Sequence, residues 1–176
     1  IEDHEELSWL VGANAALVGG AQRTGCFSSV RWVYLLDDGV LEHERSGEAF
    51  GHTSVRINAH DLRAESFERI PGQQIAVHEF AHILDSLFGI TDSTPGLQQG
   101  LERHLANVRE GIEDGIPDDV VQVMIEEDTH VEFFSYVSEL FFTDPHGVLD
   151  FYPPLYHDLV AIYGLDLVRQ MPDLAG

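Results

Sequence analysis

The stretch AVHEFAHILD, Ala76 to Asp85, sets two imidazoles four residues apart with a carboxylate directly after the first. On a helix, residues four apart stand one turn above the other on one face, so His78 and His82 can each aim a ring nitrogen at a single point. A divalent metal held there needs a third protein ligand and keeps one position open for water. Glu79 lies about 100° round the helix from His78, close to that point without facing it. From there it can take a proton from a water activated at the metal, the general-base role in zinc peptidases. The alternative is a pair of core histidines bonded to carbonyls. The surrounding sequence is apolar, and burying two histidines and a glutamate in it is costly unless a metal or hydrogen bonds satisfy them.

Three carboxylates compete for the third position. Asp85 follows His82 by three residues on the same helical side, but a helix already giving two ligands rarely bends a short Asp back to the same ion. Asp85 is better read as a group that orients a ligand or a neighbouring backbone. Glu132 and Glu139 are seven residues apart, hence on one face, in THVEFFSYVSELFF. A carboxylate among so many aromatic side chains wants a cation. Thr129-x-x-Glu132 is also a capping-box pattern, in which Glu132 would bond its own helix start. Spacing leaves Glu132 only modestly ahead of Glu139.

These residues must be carried by stable elements. Apolar periodicity predicts a helix from Leu7 to about Val18 ending at Gly19 and Gly20, and a buried helix beginning at Ile75 and ending near Gly89. VRWVYLL, Val30 to Leu36, reads as a strand closed by a turn at Asp37, Asp38 and Gly39, and Leu41 to Gly51 as a loop. HTSVRINAHDL alternates like a half-exposed strand, and His52 to Ala59 is a plausible edge for an extended substrate. Further helices are expected from about Leu97, over Thr129 to Phe142 with a stop at Asp144-Pro145, and from Pro154 to Tyr163 with a stop at Gly164; IEDGIPDD reads as an acidic turn. One helix, two strands and then helices suggest a single α+β domain over residues 1–176, with a small antiparallel or mixed sheet packed on one side.

Composition narrows the partners. Of 176 residues, 31 are acidic and 9 basic, all nine of them Arg, for a formal net charge of −22. Phosphate binding needs a basic footprint, so nucleic acid is excluded as an expected partner. No apolar run of about 18 residues is present to span a membrane. The acidic shell fits either adaptation to high salt or a solvated surface in an Arg-favouring composition. The lone Cys26 rules out an internal disulfide and a Cys-rich zinc module, so His, Asp or Glu must hold any metal.

HEFAHILD, then VEFFSYVSELFF some fifty residues on, then PPLYHDLVAIYGLD, together resemble the Mlc titration factor A family of glucose-regulated zinc metallopeptidases. VRWVYLL and SVRINAHDL fall where that family has its two strands, so the likeness runs from about Ile1 to Asp166, with the family's N-terminal segment apparently lacking. The resemblance implies a zincin-like metallopeptidase fold, mostly helical with a small sheet, related to the catalytic domain of anthrax lethal factor, and an aminopeptidase-like activity on peptide substrates. It implies one Zn2+ per chain, held by His78, His82 and Glu132, with Glu79 as general base and Glu139 in a supporting or structural role. A cytoplasmic location is the family's habit and agrees with an unpaired Cys. Members usually carry a Tyr seven residues before the ligand Glu, where this chain has Ile125. His130 is a candidate replacement, although a solvated histidine at a helix start is the simpler reading. Without that Tyr, the rival is a zinc-stabilised regulatory protein, catalytically weak or inactive, that binds a partner such as a transcriptional repressor.

Overall fold

The computed structural model describes residues 2–20, 25–37, 47–67, 70–110 and 129–170. Three strands, β1 (Trp32–Leu36), β2 (Gly47–Phe50) and β3 (Ser54–Asn58), form a sheet of order β1-β3-β2. β1 pairs with β3 in parallel and β2 with β3 antiparallel, so the sheet is mixed. Alternation sorts β3: Val55 and Ile57 are wholly buried while Arg56 between them is exposed. The helices are α1 (Glu2–Gly19), α2 (Ala59–Phe67), α3 (Ile75–Phe88), α4 (Ile90–Ser93), α5 (Pro95–Glu110), α6 (Thr129–Thr143), α7 (Pro145–Phe151), α8 (Pro153–Tyr163) and α9 (Leu167–Gln170). The architecture is α+β and mostly helical. Among the described residues, no helix is long and apolar enough to cross a membrane.

α3 is the central element. It buries Ala76, Val77, Phe80, Ala81, Ile83 and Leu84, and it packs against α1, α6 and β2. Each large apolar side chain so buried stabilises the fold by about 1.5–3 kcal/mol. The helix ends at Gly89, whose φ of 58° is open to glycine at little cost and lets its N–H close on the Asp85 carbonyl at 2.7 Å. α6 presents Phe134 and Phe141 to α8, where Tyr163 stacks on both rings, 6.5 and 5.4 Å between centroids. The Tyr163 hydroxyl donates to Ser138 Oγ at 2.6 Å, satisfying a polar group within that aromatic core.

Three expectations need correction, and a fourth is extended. Gly47–Phe50, at the end of the expected loop, is a strand: GEAF has little strand propensity of its own, and pairing with β3 overrides it. β3 stops at Asn58 and α2 begins at once. Asn58 Oδ1 accepts from the His60 and Asp61 amides at 2.8 and 3.2 Å, a side-chain cap that turns NAHDL from strand into helix. β3 has neighbours on both sides and offers no edge; among the described residues the edges belong to β1 and β2. Asp144-Pro145 ends α6 and also starts α7, because Asp144 accepts from the Gly147 amide at 3.0 Å and Pro145 needs no donor at the first helical position. The turn at Asp38 and Gly39, the segment IEDGIPDD and Ile125 lie outside the described residues.

Candidate metal centre

The start of α3 is anchored from outside. Gln74 precedes the helix and makes no side-chain cap. Instead the Gln74 amide donates to Glu139 Oε2 at 2.5 Å and the Ile75 amide to Glu65 Oε2 at 2.6 Å. Gln74 Nε2 also donates to the Glu65 carbonyl at 2.8 Å. Two of the amides left free at a helix start thus meet carboxylates from α2 and α6, a favourable match to the positive end of the helix dipole.

One turn further on, the imidazoles of His78 and His82 stand 4.8 Å apart, centroid to centroid. Glu132, on the facing stripe of α6, reaches both rings: Oε2 lies 3.3 Å from His78 Nε2 and Oε1 lies 3.4 Å from His82 Nε2. One donor atom from each of the three residues falls within 4.8 Å of the others. Donors about 2.1 Å from one tetrahedral ion lie about 3.4 Å from each other, whereas a charge-assisted hydrogen bond closes to about 2.7–2.9 Å. The spacing and the two-nitrogen, one-carboxylate donor set fit a divalent cation. Glu132 turns toward the imidazoles; the Thr129 side chain of the capping-box pattern lies outside the described residues.

Glu139 lies behind His78, with Oε1 2.8 Å from Nδ1. This bond gives Nδ1 the proton and turns the Nε2 lone pair toward Glu132 when the ring is neutral. Glu79 is almost wholly buried, and its Oε2 has no hydrogen-bond partner, the arrangement expected of a carboxylate whose natural companions are a cation and a water.

Electrostatics reflect this crowding of carboxylates. Burial pushes the Glu79 carboxyl up to about 8, opposed by His78 and reinforced by Glu132 and Glu139. Burial and the nearby His78 hold His82 down at about 4. Burial also works against a charged His78, but its ion-pair contacts with Glu132 and Glu139 prevail and hold its pKa well above the usual histidine range. In the metal-free protein the His78 imidazolium is therefore the cation between these two carboxylates. Burial raises Glu65 to about 7, with Glu139 adding to the rise.

Of the other sequence candidates, Asp85 points away from this cluster. Its Oδ1 accepts from the Thr91 amide at 2.7 Å and its Oδ2 from the Thr91 hydroxyl at 3.2 Å, fixing α4 onto the end of α3. His130 is exposed at the start of α6 and contributes no atom to the group. Two residues escaped sequence reasoning. Glu65 sits on α2, an element signalled only by the Asn58 cap, and Gly47 of β2 lies directly over Glu79.

Comparison with known proteins bears on the same residues. Residues 34–164 match the glucose-regulated metallo-peptidases, M90. The chain belongs to that family. The likeness read from HEFAHILD and VEFFSYVSELFF is thereby shown, over a match that begins at β1 and leaves out α1. No curated protein and no solved structure matches the chain. Membership in M90 implies a metallopeptidase-like domain, with a candidate metal site at His78, His82 and Glu132.

Proposed function

We propose that the chain is a zinc-dependent peptidase of zincin-like fold and aminopeptidase-like action, with His78, His82 and Glu132 as ligands and Glu79 as general base. The observation that carries this reading is the meeting of side chains from α3 and α6 at metal-ligand spacing beside a buried, partnerless carboxylate oxygen. When bound, the metal supplies a Lewis acid that acidifies a water and polarises a carbonyl. Glu79 then takes the proton of the attacking water and passes it to the leaving nitrogen, so the scissile C–N bond breaks as an amine and a carboxylate form. Glu139 holds His78 in the tautomer that keeps Nε2 free for ligation. With β3 enclosed, β2 is, among the described residues, the edge beside Glu79 that supports an added peptide strand. The net charge of −22 favours substrates with a free amino group or basic side chains.

Ile125, in place of the family's Tyr, favours a second reading as a zinc-stabilised binder of a protein regulator. Hydrolysis of amino-acid anilides by the zinc-loaded protein separates the two. The peptidase reading expects turnover that falls by about 10²–10⁴-fold in Glu79→Gln while zinc stays bound. No turnover by the native chain, or equal turnover by the variant, would overturn it.

A further inference from the structure

β2 enters the site through a residue without a side chain. A Cβ built on Gly47 would stand 2.5 Å from Glu79 Oε1, 2.8 Å from Glu79 Cγ and 2.8 Å from Ile75 Cδ1, whereas carbon atoms in contact settle about 3.5–4.0 Å apart. Neither wall can yield freely. Gly47 is buried and pairs with Ile57, which is wholly enclosed in the core, and Glu79 is buried on a helix packed against α1, α6 and β2. Gly47 is not among the glycines with positive φ, so an alanine could take up its backbone conformation. What the position demands is space, and the occupant of that space is the Glu79 carboxylate.

We propose that Gly47 is a positioning residue: the bare backbone of β2 forms the wall that aims Glu79. The inference rests on Glu79 acting as base. A methyl group at position 47 pushes the carboxylate aside and leaves His78, His82 and Glu132 in place. Misplacing a reacting group by about 1 Å can cost about 100-fold in rate, so the loss falls on kcat and not on metal binding.

The test compares Gly47→Ala with the native chain in three measurements, with Gly12→Ala, whose added carbon meets open space, as control. Zinc affinity, read by competition with a chromophoric chelator, should change by less than about threefold, and kcat on an amino-acid anilide should fall by about 100-fold or more with KM within about threefold. The third measurement is a stability cycle in metal-free protein, built on Ile75→Val to remove Cδ1. Gly47→Ala should raise the unfolding constant by about tenfold or more beside Glu79, and by less than about threefold when Glu79→Ala has emptied the space. Retention of more than about half of the native kcat, or equal destabilisation in both backgrounds, overturns the proposal. If the native chain turns over no anilide, the peptidase reading falls, and the stability cycle alone decides whether Gly47 sets the place of Glu79.

Discussion

Glutamine at position 79 should make the metal-free fold less sensitive to rising pH. Burial lifts the Glu79 carboxyl from 4.5 to about 8, so the folded state prefers it protonated. Stability from that preference is complete below pH 4.5 and is lost as pH climbs through about 8, because the unfolded chain gives up the proton first. Each pH unit between the two values costs about 1.4 kcal/mol, which accumulates to about 3 kcal/mol between pH 5 and pH 7.5. Glu79→Gln carries no such proton. A constant effect of the substitution shifts its whole stability curve without changing the slope, and the titrations of His82 and Glu65 are common to both proteins. Urea unfolding of chelator-stripped protein at several pH values from 5 to 7.5 should show the two curves separating by about 3 kcal/mol, with the native chain losing more. Curves parallel to within about 0.5 kcal/mol would refute the buried, uncompensated carboxylate. Saturating zinc should flatten the native curve, since a nearby cation favours the ionised form.

Zinc should displace the His78 proton that otherwise partly offsets the charge of Glu132 and Glu139; titration calorimetry in buffers of different ionisation enthalpy should show about one proton or more released per ion at pH 7, and affinity rising with pH. Glu132→Ala removes a proposed ligand and Glu139→Gln only the partner of His78. Chelator competition should find about 10–100-fold weaker zinc in Glu139→Gln and a greater loss in Glu132→Ala. Glu65→Ala strands the Ile75 amide at the start of α3 and should cost about 1–3 kcal/mol in urea unfolding, whereas Glu65→Gln keeps an acceptor oxygen and should recover most of it.

The parts legible in the sequence are those written in local periodicity. α3 and α6 show as apolar stripes with stop signals, and the spacing of His78, Glu79 and His82 requires only a helix to become a site. Choosing Glu132 as the third donor was harder, since it and Glu139 share a face and the choice depends on how α6 slides along α3. That register is set by packing, with Glu139 held at the Gln74 amide so that Glu132, about two turns away on the same face of α6, falls beside both imidazoles. β2 was illegible because its pairing comes from β3 and not from its own residues. The contribution of Glu65 went unseen because α2 depends on one Asn58 cap in a segment that alternates like a strand.

The same packing explains why a fold would bring so many carboxylates to one place. Glu65 and Glu139 serve the start of α3, where helix amides repay part of their burial. Glu79 has no such compensation at Oε2, and Gly47 closes over its other oxygen. A chain selected for stability alone would place an apolar side chain at position 79, where one of similar volume removes the desolvation cost. Retaining a carboxylate there is a local violation of the rules that build the rest of α3, and such violations gather at functional sites. The cation proposed beside His78, His82 and Glu132 would relieve the violation: it would lower the cost of ionising Glu79 and so prepare it to accept a proton near neutral pH.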